Sequence, residues 1–132
     1  MILDSSAVLA ILREEREAPS FAQVIEEASL SRLSAANFLE AAIVADGSRD
    51  PLLSRKFDDL LRDARVSIEP VTERQALIAR EAYRDYGKGS GHPAQLNYGD
   101  CFAYALAKDL AEPLLFKGND FAHTDVKSAA PR

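Results

Sequence analysis

The sequence predicts an α/β fold of three layers, α/β/α, around a central parallel sheet of four or five short strands. Three observations predict it. Short strand-like runs, most clearly MIL at the start and LLF at 114–116, have the length and apolar continuity of strands buried on both faces. Longer stretches between them carry apolar residues at helical spacing. The two kinds of segment alternate along the chain, which is the pattern of a parallel sheet covered by helices. In such a sheet, ligands bind at the carboxyl ends of the strands.

Each element follows in order. MILD reads as a short buried strand, and Ser5-Ser6-Ala7 opens a helix with Val8, Leu9, Ile11 and Leu12 on its apolar side. Arg13 to Glu17 is a charged, solvated end, and Pro19 marks a break. Phe21, Val24, Ile25 and Ala28 are spaced as one helix face. Residues 30–33 read as a second strand, after which Ser34 caps a helix from about 35 to 46, with Gly47 at its end. Pro51 starts a helix whose stripe is Leu52, Leu53, Phe57, Leu60 and Leu61. Val66 to Pro70 alternates like a strand, and Thr72 caps a helix to about Tyr86. A glycine-rich loop, 87–93, leads to a helix capped by Asn97, which ends near Glu112-Pro113. Residues 114–116 form the last strand, Gly118-Asn119-Asp120 turns, and the tail after about 122 is expected to be partly disordered. The whole of 1–132 reads as a single domain.

Composition narrows the function. With 47% hydrophobic and 28% charged residues, the chain is ordinary globular protein. A net charge of −5 excludes a generally basic nucleic-acid binder, so a polyanion must meet a local patch or a metal that reverses the local sign. The one cysteine, Cys101, excludes an internal disulfide framework and a cysteine zinc cluster, and it lies in an apolar run as a buried thiol. The start has no basic leader and is too short to span a bilayer, which points to a cytoplasmic protein without membrane attachment.

Four acids draw attention. Asp4 ends the first strand, and Asp120 follows the last. Asp100 stands just ahead of the apolar run from Cys101 to Ala107. Glu40 is the only charged residue between Leu33 and Asp46, with Asn37 one turn earlier on the same side. Each has a plain structural explanation: helix caps for Asp4 and Asp100, a surface position for Glu40, a turn for Asp120. Together they can reach one edge of one sheet. Clustered, buried carboxylates need a neutralising cation, and all-oxygen ligands suit Mg²⁺ or Mn²⁺.

Four motifs then carry a resemblance. MILDSSAVLAIL is similar to the opening of PIN-domain proteins, SAANFLEAAIV to their second motif with its helical Glu, LNYGDCFAYALA to the third and LLFKGNDFAHTDV to the fourth. Taken in order they cover essentially the whole chain, which most resembles the VapC group, the toxin halves of bacterial VapBC toxin–antitoxin pairs. The resemblance implies a PIN-like fold and a metal-dependent endoribonuclease. Asp4, Glu40 and Asp100 match the acidic positions directly, and Ser6 matches the small hydroxyl residue beside the first acid. Many relatives carry two consecutive acids before the Phe; here the first is Asn119, so either Asp120 or the neutral Asn119 fills the fourth position. The implied catalytic set is Asp4, Glu40, Asp100, Asp120 and Ser6, with the four acids on Mg²⁺ or Mn²⁺.

Arg13, Arg16, Lys88, His92, Lys117 and Asn119 lie on loops or helix ends that could approach the same edge and contact RNA phosphates. The resemblance also implies a cognate VapB-type antitoxin and a homodimer, the latter through the helices at 51–65 and 72–86. The expected opening for the antitoxin is a groove beside the acidic edge, flanked by the first two helices with Val8, Leu12, Phe21, Val24 and Ile25, of which some pack inward and a surplus suits an antitoxin helix. Two other readings keep the acids without this chemistry. A non-catalytic interaction module would use them only as caps and contacts. A Mg²⁺-binding receiver domain would need paired acids after the first strand, where this chain has Ser5 and Ser6 after Asp4.

Overall fold

The computed structural model of the chain describes residues 1–131. Strand β1 (Ile2–Leu3) is followed by helices α1 (Ser5–Leu12) and α2 (Ala18–Glu27), and β2 (Arg32–Ser34) by α3 (Ala35–Gly47) and α4 (Pro51–Asp63). Strand β3 (Ser67–Glu69) precedes α5 (Glu73–Tyr86) and α6 (Tyr98–Leu110), and β4 (Leu114–Leu115) leads to a 3₁₀ turn at Phe121–His123. The sheet has four strands, all parallel, in the order β3-β2-β1-β4. Among the described residues, no helix is long and apolar enough to cross a membrane.

Strand pleat divides the core in two. Leu3, Leu33 and Leu115 face one side, where they pack with Val8, Phe21, Ala41 and Phe57 from α1 to α4. Ile2 and Leu114 face the other, against Ala79, Ala82, Tyr104 and Leu106 from α5 and α6. Alternate residues of a strand point to opposite faces, so two-residue strands suffice to hold both layers. This is the three-layer α/β/α arrangement the sequence predicts, with a parallel sheet of four strands.

Strand order also locates the site. From β1 the chain winds outward to β2 and β3, then returns to place β4 on the other side of β1. The winding direction reverses between β1 and β4, and a crevice opens at the carboxyl ends of such a pair.

Pro19 marks the break after the charged segment and sits in the first turn of α2, where its missing N–H has no partner to lose. Of the five apolar residues of the first two helices, some expected to pack inward, Val8, Leu12 and Phe21 are the buried ones. Two local expectations are corrected. The apolar groove beside these helices is lined by Ile11, Ile25, Leu30 and Leu60 toward the amino ends of the strands, not beside the acidic edge. The tail after about 122, expected to be partly disordered, folds back along β4. Leu114 N–H donates to Lys127 O at 2.8 Å, and Ala129 N–H donates to Leu114 O at 2.9 Å. Tyr104 Oη donates to Asp125 at 2.7 Å, and Lys108 pairs with the same carboxylate at 2.8 Å. The tail thereby covers a sheet edge that would otherwise expose unpaired backbone groups.

Candidate active site

Asp4 is fixed from two directions. Its backbone N–H donates to Leu115 O at 2.9 Å, which ties it to β4. Its side chain caps α1, Oδ2 accepting from Ser6 N–H at 3.0 Å. The residue is 3% exposed, and Oδ1 is buried without a hydrogen-bond partner. Burial pushes its carboxyl up to about 7; hydrogen bonding from Ser6 opposes this, and the charges of Asp100 and Glu40 add to it.

Asp100 is the third residue of α6 and forms a reciprocal cap with Asn97. Asp100 N–H donates to Asn97 Oδ1 at 2.9 Å, and Asn97 N–H donates to Asp100 Oδ2 at 3.0 Å. Burial pushes its carboxyl up to about 6; the bond from Asn97 and the charge of Lys88 oppose this, while Asp120 and Glu40 reinforce it. Glu40 projects from α3, where Ser5 Oγ and Asn37 Nδ2 both donate to its Oε1.

These side chains converge. A cleft of about 350 Å³ is lined by Asp4, Ser5, Ser6, Glu40, Asn97, Asp100, Lys117 and Asp120, with Leu9, Val44 and Phe121 as apolar wall. Ser6 Oγ accepts from Lys117 N–H at 3.0 Å and so links α1 to the segment after β4. Asp120, exposed, reaches the cleft wall; Asn119, also exposed, is not part of that lining.

The predicted basic contacts separate. Lys117 lies at the cleft but pairs with Glu15 and Glu17. Lys88 is near enough for its charge to act on Asp100. Arg13 caps the end of α1 in the open, and Arg16 is exposed beside Glu17 at 3.8 Å. His92 is placed elsewhere: its ring packs edge-on against Tyr86 at 4.8 Å, and Nδ1 accepts from Ala94 N–H at 3.1 Å. It holds the loop that leads into α6.

The opposite edge of the sheet offers an internal comparison. There Arg32 bridges Glu69 at 2.7 Å and Glu112 at 3.1 Å. Burial pushes the Glu112 carboxyl up, but the Met1 amine and Arg32 outweigh it and hold it below the usual range. Among the described residues, the acids of the cleft have no such ion pairs. Asp4 and Asp100 move upward instead, chiefly through burial, with the negative charge of their neighbours adding to it. No three acids form a closed coordination group among the described residues. The unpartnered Asp4 Oδ1 and an all-oxygen donor set nevertheless fit a hard divalent cation.

The chain is similar to known proteins over its whole length. The PIN domain profile matches residues 1–127. The chain is 57% identical over 132 residues to Ribonuclease VapC28 of Mycobacterium tuberculosis, covering 100% of this chain and 99% of that protein. The chain belongs to the PIN-domain family, among the VapC ribonucleases. The crystal structure of Mycobacterium tuberculosis VapC20, a sarcin–ricin-loop-cleaving toxin, shares the fold at TM-score 0.77 and 11% identity, over 98% of both chains. A toxin–antitoxin complex from Klebsiella pneumoniae does so at TM-score 0.68 and 17% identity, over 92% of this chain and 89% of that one.

Within this PIN domain, sequence reading missed Ser5 and Asn37 as donors to Glu40, and Gly99 of α6 as the position over which the Glu40 carboxylate packs. Asn37 carried a signal, a polar residue one turn before Glu40 on an otherwise apolar helix. Ser5 was masked by its place in a helix-opening Ser-Ser pair. Gly99 gave no signal, because its meaning lies in what packs over it from α3.

Proposed function

We propose that this PIN domain, read as one unit over the whole chain, is the endoribonuclease toxin of a type II toxin–antitoxin system and hydrolyses RNA phosphodiester bonds with a divalent cation. One observation carries the reading. Asp4 is buried and Asp100 half-buried, and both are raised in pKa and without an ion pair at the β1/β4 switch point, in a chain 57% identical over its full length to a VapC ribonuclease. A purely structural edge would neutralise its acids with bases, as Arg32 does at the other end.

In this reading Asp4 and Asp100 are the main cation ligands, with Asp120 on the outer side of the cleft. A bound Mg²⁺ or Mn²⁺ would neutralise charge on the phosphoryl oxygens and lower the pKa of a water. The remaining work is done by the protein. Both donors to Glu40 land on Oε1, so Oε2 is left to accept a proton from the attacking water and to orient it. Ser6 holds the start of α1 against Lys117, which keeps the Asp4 cap in place. The cap geometry on α1 and α6 means the acids are positioned before substrate arrives, the condition under which electrostatic stabilisation is most effective. Lys117 and Lys88 lie where they can meet the flanking phosphates, with Arg13 and Asn119 as outer contacts.

A VapB-type antitoxin is the expected partner. The structure offers an apolar groove of about 600 Å³, lined by Ile11, Ala22, Ile25, Leu30 and Leu60 among others, between α1, α2 and α4. It opens toward the amino ends of the strands, away from the acidic edge, and suits an amphipathic helix. A homodimer through α4 and α5 would cover Leu52, Leu77 and Tyr83, which are exposed in the single chain.

The test is cleavage of total RNA by purified protein with Mg²⁺ or Mn²⁺, followed by sequencing of the new ends. Cation-dependent ends that recur at defined sites are expected. Intact RNA under all these conditions leaves the non-catalytic module as the better account.

A further inference from the structure

The acids of the cleft are set by different means. Asp4 and Asp100 are fixed because each caps a helix. Glu40 lies in the middle of α3 and reaches the cleft on a flexible stem, so something else must hold its carboxylate.

Three residues from three directions do so. Ser5 Oγ, at the first position of α1, donates to Oε1. Asn37 Nδ2 donates to the same oxygen at 3.3 Å and to Gly99 O at 3.0 Å. Asn37 is fully buried, and both neighbours of its amide are acceptors, which fixes Nδ2 toward them. Gly99 completes the arrangement by having no side chain. A Cβ there would lie 2.0 Å from Glu40 Oε2, 2.7 Å from Cδ and 2.9 Å from Oε1. The carboxylate occupies the space a side chain at 99 would fill, over the first turn of α6, where free N–H groups favour negative charge.

We propose that Ser5, Asn37 and Gly99 are positioning residues that clamp the Glu40 carboxylate between α1, α3 and α6 at the reacting edge. The assignment rests on the ribonuclease reading for its purpose and on the packing alone for its geometry. It has a specific consequence. A methyl at 99 meets the free end of a flexible side chain rather than backbone, so the helix stays and the carboxylate moves. Losing about 1 Å of placement at a reacting group lowers rates on the order of 100-fold.

The experiment is a cycle of Gly99→Ala, Glu40→Ala and the double variant in the full chain, read by cation-dependent RNA cleavage and by thermal melting. Gly99→Ala is expected to stay folded and to lose about 100-fold in cleavage, with no further loss when Glu40 is already Ala. Melting should change sign. With Glu40 present, Gly99→Ala lowers Tm, because the displaced carboxylate gives up Ser5 and Asn37. With Glu40→Ala, the same change raises Tm, because alanine favours helix over glycine. Wild-type cleavage by Gly99→Ala, equal losses in both backgrounds, or the same sign of Tm change in both would overturn the assignment. If the wild type itself cleaves no RNA, the ribonuclease reading fails, and the melting cycle still decides whether these residues clamp Glu40.

Discussion

Asp4→Asn should make the cation-free protein more stable at neutral and alkaline pH while abolishing RNA cleavage. The carboxyl moves from its ordinary 3.8 to about 7 on folding, chiefly through burial. At about 1.4 kcal/mol per pH unit, that difference is roughly 4 kcal/mol against the folded state once the group is ionised. The sign follows from which state holds the proton. Below 3.8 both states are protonated and nothing is lost. Between 3.8 and about 7 the unfolded chain has released its proton while the folded one keeps it, so stability falls as pH rises. Above about 7 the loss is complete.

Asparagine removes this dependence and keeps the cap, since its amide oxygen can still accept from Ser6 N–H. The assay is urea unfolding of both proteins in a chelator, near about pH 4 and about pH 8. The variant should match wild type at the acid end and exceed it by up to roughly 4 kcal/mol at the alkaline end. Adding Mg²⁺ should then stabilise wild type selectively, by about 2.7 kcal/mol at a hundredfold excess over Kd. A variant-minus-wild-type difference that does not change with pH would refute the argument that Asp4 is held uncompensated.

Asp100→Asn should also abolish cleavage with the fold intact, because asparagine can preserve the reciprocal cap with Asn97; circular dichroism and the RNA assay together check this. Asp120→Asn should weaken cation binding in a Mn²⁺ titration and Asn119→Ala should not, since Asp120 lines the cleft; the reverse result would move the fourth position to Asn119. Lys117→Ala should weaken RNA binding without base preference and lower the salt slope by about one, as measured by titration at several ionic strengths. In cells, growth arrest should follow expression of the chain alone and vanish with Asp4→Asn or with the neighbouring antitoxin gene; a chain that is harmless alone and captures no partner would contradict the toxin reading.

Much of this fold was legible because its signals are local. Buried strands read as apolar runs, Ser34, Thr72 and Asn97 announced their helices, and the alternation of the two fixed the layers. What was not legible depends on contacts distant in sequence. The tail looks polar and loose until Leu114 pairs with Ser128 and Tyr104 meets Asp125. Val8, Leu12 and Phe21 were apolar residues without an address, and only packing shows that they fill the core while Ile11 and Ile25 line the groove. His92 carried a ring suited to chemistry, yet its surroundings make it a loop support.

The site divides in the same way. Asp4 and Asp100 could be found from sequence because each sits at a helix start, and the same place admits two explanations, a cap or a ligand. The structure shows the first role without excluding the second. One oxygen of each carboxylate accepts the capping N–H, Oδ2 in both cases, and Asp4 Oδ1 is left buried and unpartnered. A cap alone would not call for burial that raises the carboxyl to about 7, because an exposed acid caps equally well. Capping explains where Asp4 points, and the unfavourable environment is what the proposed cation role would account for. The structural reading and the proposed functional one are therefore compatible in one residue: the helix fixes one oxygen, and the other is left for the cation at the edge of the sheet.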